Sequence, residues 1–430
     1  MSRMPMPAVT LVEGGIWTVA AVTTGGVIVR PWRLPEAVWA MAGAATLVAT
    51  ALVPWRQAWG AVVEGSDLYL FLIGMMMLAE LARQEGLFDW LAAIAVNRAG
   101  GSGGRLFTQM FLIGVAVTAF LSNDATAVVL TPAVYAAVRA AGATPAPYLF
   151  ACAFVANAAS FLLPISNPSN LVMYGGHLPP LTDWLGRFAL PSALAIGATF
   201  LALFLSQRCA LSDPIARRIA VPTLTRGGRL AAYALAVAAV TLVVASTAGR
   251  PLGGPTFGVA AMAAILLCAV ERRSLPRLLG HLSWSTLPLV AGLFVMVRAL
   301  GQTSVVDRLA EWLGQAVGAG VGPLDAGPMG VGLAVAVLCN LINNLPAGLL
   351  ANSVVALAAP PAATVGAMLI GLNLGPNLSV TGSLATLLWL AALRREGEEI
   401  SAWRFMRLGA VVTLPALLLA LAALSLGARL

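Results

Sequence analysis

Asp124 is the acidic residue whose surroundings are the least expected for a charged group. It lies in the segment Ser122-Asn123-Asp124, and apolar runs flank this segment on both sides. An ionisable side chain inside an apolar run costs free energy, so its presence indicates a function. A carboxylate there can bind and release a proton, and we predict that Asp124 couples transport to protons. Asp and Asn also cap helices well, and such a cap is a structural alternative that is compatible with this role.

A second polar cluster extends from Pro164 to Asn170 and interrupts another apolar run. Its two prolines remove backbone donors and bias the preceding residues away from helix. The freed carbonyl groups and short polar side chains can bind a small polar solute, or they can satisfy one another at a plain helix break. In this half we predict that the solute is bound by Ser122, Asn123, Asn167, Ser169 and Asn170, with Asn157 and Ser166 as secondary candidates.

The second half of the chain carries a similar set of polar residues, none of them charged. The predicted solute ligands here are Asn340, Asn343, Asn344, Asn373, Asn377, Ser379, Thr381 and Ser383. Amides, hydroxyls and one carboxylate suit a neutral polyhydroxylated solute or a small cation. A dicarboxylate or a phosphate usually requires arginine. Glu13 and Glu80 are secondary candidates for proton transfer, although each lies near the end of a predicted span and can reach the interface. Arg298, also near a span end, is expected to extend to the interface.

Several other chemistries are excluded by what the sequence lacks. The four cysteines are widely scattered and form no CxxC pair, so we expect no structural metal site, and we expect no cofactor. All 25 basic residues are arginine, and without lysine there is no Walker A motif. An aspartate pair, a Ser/His pair or an HExxH motif of an intramembrane protease is also missing. The sequence therefore predicts a secondary transporter, not an enzyme.

Composition places these polar residues in a membrane protein. The chain has 430 residues, of which 60% are hydrophobic and 10% charged, and its mean hydropathy is +0.89. Apolar runs long enough to span a bilayer recur throughout, which predicts an all-α polytopic membrane protein. The arginines lie at the ends of these runs, a pattern that indicates orientation in the bilayer and no nucleic-acid partner.

The order of the apolar runs predicts two inverted repeats, residues 1–207 and 230–430, joined by a cytoplasmic linker at 208–229. Each repeat has about five transmembrane helices and one re-entrant hairpin, at 106–140 and 328–358, because a polar tip interrupts each of these runs. Broken helices are predicted at 146–175 and 362–393, near the bilayer midplane, an arrangement typical of secondary transporters. The arginine distribution predicts a multi-pass protein of the inner (plasma) membrane with both termini outside.

Three strings of residues resemble the arsenical pump membrane protein family (ArsB-type). They extend from Phe120 to Pro132, from Asn343 to Pro346, and from Leu374 to Trp389, and Thr413-Leu-Pro415 lies beyond the last. The resemblance covers the chain from about residue 60 to its end. It implies the ion transporter superfamily fold, with a scaffold and a transport domain that contains two re-entrant hairpins and two broken helices. It also implies export of trivalent arsenite and antimonite as neutral hydroxides in exchange for protons, which confers arsenic resistance. Some relatives associate with a soluble arsenite-stimulated ATPase.

One departure from the family pattern concerns Asn373 and Asn377. Members of the family carry an acidic residue and a lysine at these positions, whereas this chain has two amides. Asp124 is then the only carboxylate at the predicted hairpin tips, which strengthens its assignment as the proton site. The alternative function is a sodium–proton antiporter or a sodium-coupled small-solute carrier of the same superfamily, with Na⁺ held by Asn123 and Asp124.

Overall fold

The computed structural model describes residues 11–175, 178–271, 275–280, 282–318 and 326–427, and within them every named element is helical. The helices up to residue 211 are α1 (Leu11–Val29), α2 (Glu36–Ala49), α3 (Trp55–Glu64), α4 (Ser66–Gln84), α5 (Leu87–Ala99), α6 (Gly103–Phe120), α7 (Asn123–Ala125), α8 (Thr131–Ala140), α9 (Ala146–Ala158), α10 (Pro168–Met173) and α11 (Leu181–Leu211). The later helices are α12 (Arg226–Thr247), α13 (Gly253–Glu271), α14 (Leu275–Gly280), α15 (Thr286–Leu300), α16 (Ser304–Gly318), α17 (Ala326–Ile342), α18 (Asn344–Ala358), α19 (Ala362–Leu374), α20 (Leu384–Arg395) and α21 (Ala402–Gly427).

Membrane crossing is indicated by the length and composition of the helices. In the part of the chain that the structure describes, five helices are long and apolar enough to span a bilayer: α6, α11, α12, α13 and α21. Two bent pairs, α3 with α4 (46°) and α15 with α16 (78°), raise this number to seven if each pair is one span. The prediction of an all-α polytopic membrane protein is confirmed. The inverted repeats and the outside location of both termini stay predictions, and residues 1–10 and 428–430 lie outside the described residues.

The chain divides into two compact units, each of which draws on both halves of the sequence. Unit 1 consists of residues 1–66, 283–315 and 349–359. Its core contains Ile16, Leu47 and Ala299, from α1, α2 and α15, each at most 1% exposed. Helices α2 and α15 approach closely because Gly292 has no side chain: a Cβ there would lie 2.7 Å from the backbone of Ala40. Small residues permit this kind of backbone contact between membrane helices.

Unit 2 consists of residues 67–282, 316–348 and 360–430, and it contains the polar segments at 122–124, 164–170, 340–344 and 373–383. Helices α11 and α21 pack along each other. Two buried indoles fix the elements around the polar segments. Trp184 Nε1 on α11 donates to Phe161 O at 3.1 Å, and Trp389 Nε1 on α20 donates to Leu149 O on α9 at 3.1 Å.

The predicted linker at 208–229 also belongs to unit 2. Helix α11 continues to Leu211, and α12 begins at Arg226. Between them, Ile219 bonds to the side chain of Asn97 on α5 through both of its backbone groups. Ile219 N donates to Asn97 Oδ1 at 2.8 Å, and Asn97 Nδ2 donates to Ile219 O at 3.1 Å. These two hydrogen bonds therefore hold the connection between α11 and α12 against α5.

Candidate functional site

The first polar segment lies where one helix ends and another begins. Helix α6 ends at Phe120 and α7 begins at Asn123. Ser122 Oγ accepts a hydrogen bond from Ala125 N at 3.2 Å, which satisfies one of the donors that a helix start leaves unpaired. Asn123 Oδ1 accepts from Asp124 N at 2.9 Å. The capping role considered for this segment is thus filled by Ser122 and Asn123, and the side chain of Asp124 does not take part in it.

A π-helical turn, Thr126–Leu130, follows α7 directly and leads into α8. Pro132 explains the turn, because proline has no N–H to donate to the carbonyl four residues earlier. Thr131 Oγ1 donates to Thr126 O at 3.0 Å, and the same carbonyl accepts from Thr131 N across the turn. Such π-turns occur often at functional sites. The turn was not predicted, although Pro132 within an otherwise helical apolar run signalled it.

Asp124 carries the charged group of this region. Its side chain is partly exposed, whereas the flanking Asn123 and Ala125 are buried. Among the residues that the structure describes, no hydrogen-bond donor or cation pairs with its carboxylate. A carboxylate without a fixed partner can take up a proton or a cation.

The second polar segment joins the two halves of the sequence through hydrogen bonds. Helix α9 ends at Ala158, and α10 begins at Pro168, whose predecessor Asn167 caps it by accepting from Ser169 N at 3.0 Å. Asn170 Nδ2 donates to Ser160 O at 2.8 Å and to Pro164 O at 3.3 Å. Asn170 therefore satisfies carbonyl groups that the break frees, and Asn167 satisfies a backbone donor at the start of α10.

Asn373 lies at the centre of this network, and its side chain uses four hydrogen bonds. Its Oδ1 accepts from Ser160 Oγ at 2.5 Å and from Asn167 Nδ2 at 2.9 Å. Its Nδ2 donates to Asn170 Oδ1 at 2.9 Å and to Leu369 O at 2.8 Å. An amide side chain offers two donors and one carbonyl with two lone pairs, so Asn373 is saturated. A solute that binds to it must replace one of these bonds.

Asn377 and Asn157 form a second amide pair beside the first. Asn157 Nδ2 donates to Asn377 Oδ1 at 2.9 Å, and Asn377 Nδ2 donates to Phe154 O at 3.1 Å. Asn157 is fully buried, and its Oδ1 has no hydrogen-bond partner among the described residues. Buried carbonyl groups normally have a partner, so this oxygen is an open acceptor within the amide network.

The polar residues at the junction of α17 and α18, which we call the second interruption, bond to the segment that follows α19. Asn340 Nδ2 donates to Ala336 O at 2.7 Å and to Gly375 O at 3.0 Å, and Asn340 Oδ1 accepts from Ser379 Oγ at 2.6 Å. Thr381 Oγ1 donates to Asn340 O at 3.2 Å. A Cβ on Gly375 would lie 2.5 Å from Ala336 Cα, so glycine is required for this approach.

Asn343 lies between α17 and α18, and Asn344 is the first residue of α18. Asn343 has a left-handed backbone (φ 72°), and its Nδ2 donates to Thr381 O at 3.1 Å. Asn344 N donates to Gly382 O at 2.9 Å. Further along the chain, Ser383 Oγ caps α20 by accepting from Thr386 N at 3.1 Å. Residues 379–383 therefore lie against the second interruption.

The remaining candidates have local partners. Ser166 Oγ donates to Ala119 O at 3.0 Å, and Ser169 is buried. Glu80 accepts from Arg83 Nη2 at 2.6 Å and from Gln84 Nε2 at 2.7 Å on the same helix. In unit 1, Glu13 accepts from Ser304 N at 2.7 Å at the start of α16. Their proton-transfer role stays a prediction, and the structure adds a bonding role to each.

The sequence reasoning missed Ser160, whose single O–H has two acceptors within hydrogen-bond distance, Asn157 O at 2.7 Å and Asn373 Oδ1 at 2.5 Å. Its position three residues after Asn157 and before a Pro-containing break was the available signal. Within the described residues, none of the amides in the network bonds to an arginine, and no cluster of three His, Cys, Asp or Glu side chains can hold a metal ion. The region can therefore present amides, hydroxyls and one carboxylate to a solute.

Known membrane transporters are similar to this chain along most of its length. The model of the citrate transporter family (CitMHS) matches residues 19–375. An arsenical pump membrane protein of Escherichia coli is 30% identical over 411 residues, which cover 91% of each chain. An uncharacterised transporter of Mycobacterium tuberculosis is 28% identical over 417 residues, which cover 94% of this chain and 96% of the relative.

A solved structure supports the fold. The YdaH transporter of Alcanivorax borkumensis matches with a TM-score of 0.51 over 86% of each chain, at 18% identity, which is a likeness of fold alone. The family model covers most of the chain, and the Escherichia coli relative is similar along nearly its whole length. The chain therefore belongs to the citrate transporter (CitMHS) family, among the transporters related to arsenical pump membrane proteins, and it is a membrane transporter rather than an enzyme.

Proposed function

We propose that this protein exports trivalent arsenite and antimonite across the plasma membrane as neutral hydroxides, in exchange for protons, and thereby confers arsenic resistance. The substrate proposal is supported by the relatives named arsenical pump membrane protein. The proton proposal is supported by one observation: the carboxylate of Asp124 has no partner in the described part of the chain, within a region of amides and hydroxyls.

The chemistry of the amide network favours a neutral solute over citrate. Carboxylates in protein sites are usually bound by arginine, often through two parallel hydrogen bonds. No arginine bonds to Asn157, Asn373 or Asn377 among the described residues. A trihydroxide of arsenic or antimony offers O–H donors and oxygen acceptors, which amides and hydroxyls can match without a charge.

Exchange with protons is supported by the chemistry of the Asp124 carboxylate, which has no partner among the described residues. In its charged form, Asp124 attracts a proton from the side with the higher proton concentration. Release of that proton on the other side completes the cycle. Movement of the neutral solute in the opposite direction is then driven by the proton gradient. Na⁺ can occupy the same carboxylate with amide oxygens as further ligands, which is the alternative coupling ion.

The test is uptake of arsenite into everted membrane vesicles that contain the full chain. We expect uptake when the vesicle lumen is acidified, and collapse of uptake when an ionophore dissipates the pH gradient. An imposed Na⁺ gradient at constant pH should drive no uptake. Uptake that follows Na⁺ and not pH would replace the proton proposal with the sodium alternative, and uptake of citrate without arsenite would overturn the substrate proposal.

A further inference from the structure

Unit 1 contains a cavity, and none of its lining residues belongs to the amide network of Asn157, Asn167, Asn170, Asn373 and Asn377. Its volume is about 770 Å³, and its lining residues come from α3, the end of α15, α16 and the 349–357 part of α18. This volume lies in the range of ~300–1,000 Å³ that is usual for small-molecule sites. We call it the unit 1 cavity. All of its lining residues belong to unit 1.

Two side-chain pairs at this cavity join α3 to α15 and to the turn between α15 and α16. Arg298 Nη2 forms an ion pair with Glu64 Oε1. Gln302 Nε2 donates to Gln57 Oε1 at 2.5 Å. Arg298 was expected to extend to the membrane interface, which stays a prediction, and the structure pairs it with Glu64. The guanidinium is therefore largely neutralised by its partner and does not act as an isolated cation in the cavity.

Two other polar side chains of the cavity lining are available to bind a solute. Asp307 on α16 and Asn352 on α18 have no hydrogen bond or ion pair in the described part of the chain. Neighbouring Ser353 differs, because its Oγ donates to Leu349 O in its own helix at 3.3 Å. Asp307 supplies acceptors only, whereas Asn352 supplies both donors and an acceptor.

The charge of the lining favours neutral solutes over anions. Its three charged residues are Glu64, Arg298 and Asp307, so carboxylates outnumber cations. An anion that enters the cavity is repelled by the unpaired carboxylate of Asp307, and Arg298 is already paired with the carboxylate of Glu64. A neutral hydroxide can donate to Asp307 and exchange hydrogen bonds with Asn352. Because the cavity is large relative to a water molecule, whose share of liquid volume is ~30 Å³, the solute can keep part of its hydration and bind weakly.

We propose that the unit 1 cavity is a second, low-affinity site for the neutral hydroxide solute, bound by Asn352 and Asp307. Anions are excluded because Glu64 neutralises Arg298 and leaves the charge of Asp307 in excess. This inference rests on the proposed function, and it adds a binding site that lies outside the amide network. The Arg298–Glu64 pair has a positioning role, because it sets the charge of the site without binding the solute.

The first experiment measures equilibrium binding of radiolabelled arsenite to the purified full chain in detergent, together with its transport. We expect two sites per wild-type chain and one in Asn352→Leu, in which KM for arsenite rises roughly three- to tenfold, as for one or two lost hydrogen bonds. The maximal rate should change less than about twofold. Ser353→Ala is the matched control and should bind and transport as the wild type does.

The second experiment tests the exclusion of anions. Glu64→Gln leaves Arg298 unpaired, and we expect citrate or arsenate to inhibit arsenite transport at concentrations at least about tenfold lower than in the wild type. The double variant Glu64→Gln/Arg298→Gln restores the excess of one carboxylate, and it should again resist the anions. This double variant also shows whether the pair is needed for folding.

The outcomes separate this inference from the proposed function. A wild-type chain that transports arsenite but binds one equivalent, with an unchanged KM in Asn352→Leu, would overturn the second site and leave the proposed function intact. Equal anion sensitivity of the wild type and Glu64→Gln would overturn the role of the ion pair. A wild-type chain that neither binds nor transports arsenite would overturn both.

Discussion

The two interruptions at Ser122–Asp124 and Ile342–Asn344 have the same local plan. Each lies between a helix that ends and a helix that begins, α6 and α7 in the first and α17 and α18 in the second. In each, the first asparagine accepts a hydrogen bond from a nearby backbone N–H: Asn123 from Asp124 N, and Asn343 from Leu345 N. In each, the next side chain has no hydrogen bond among the described residues.

The interruptions differ in the side chain that follows the first asparagine, which is Asp124 in one and Asn344 in the other, and in the surroundings of that side chain. The first presents the carboxylate of Asp124, which is partly exposed, whereas the second presents the amide of Asn344, which is 3% exposed. The second interruption is also bonded to Thr381 and Gly382. The two interruptions therefore share a hydrogen-bond pattern but differ in chemistry. The first holds a group that can change charge, and the second is bonded to the 379–383 segment.

The largest expected effect comes from removing the charge at the first interruption. Asp124→Asn keeps the size of the side chain and makes the two interruptions chemically alike. We expect it to abolish proton-driven arsenite uptake into everted vesicles, because no carboxylate remains at either interruption. The protein should still reach the membrane and keep its thermal unfolding midpoint, since the Asp124 carboxylate has no bonds to lose in the described residues.

The matched control for this variant is Asp213→Asn, which removes an exposed carboxylate from the segment between α11 and α12. It should transport arsenite at the wild-type rate and with the wild-type pH dependence. Wild-type uptake by Asp124→Asn, under a pH gradient that drives the control equally well, would contradict the assignment of Asp124.

Moving the carboxylate to the other interruption tests whether position matters as well as charge. In the double variant Asp124→Asn/Asn344→Asp, we expect no recovery of proton-driven uptake. Asn344 is buried against the 379–383 segment, and a charge there would be separated from water. Recovery of more than about a tenth of the wild-type rate, measured in the same vesicles, would show that the two interruptions are interchangeable.

The amide network is expected to contribute more to stability than either interruption does. Asn373→Ala removes the partner of two buried groups, Asn167 Nδ2 and Asn170 Oδ1, at a cost of about 1–3 kcal/mol per group. We therefore expect the free energy of unfolding to fall by about 3 kcal/mol or more. Asn123→Ala, which loses a single bond to a helix start, should cost about 1 kcal/mol. Thermal unfolding in detergent checks the order of the two variants.

The sequence predicted where the polar groups lie but not which of them would bond to one another. Asp124 was found because a charged residue in an apolar run is expensive, which is a local property. Asn373 and Asn170 were both predicted as solute ligands, yet in the fold they bond to each other. Their separation of 203 residues explains why. Only the packing of α19 against the first broken helix determines that contact.

The helical class was predictable because the length of an apolar run is enough to indicate a span. Helix α3 was not among the predicted spans, since Arg56, Gln57 and Glu64 reduce its hydropathy. The ion pair between Glu64 and Arg298 compensates for that polarity and links residues 234 apart. The hydropathy pattern of α3 alone could not predict this pair, because its partner residue is distant in the sequence.

The smallest effect we predict is a reversal in the ranking of glycine and valine at the two interruptions. Asn343 has a left-handed backbone, which costs a residue with a Cβ roughly 1–2 kcal/mol and glycine almost nothing. Asn343→Gly should therefore be more stable than Asn343→Val.

Asn123 begins a helix with an ordinary backbone, where glycine is less favourable than valine by a few tenths of a kcal/mol. Asn123→Val should equal or exceed Asn123→Gly in thermal midpoint. The same ranking at both positions would mean that the backbones of the two interruptions are alike, and their difference would then lie in the Asp124 and Asn344 side chains alone.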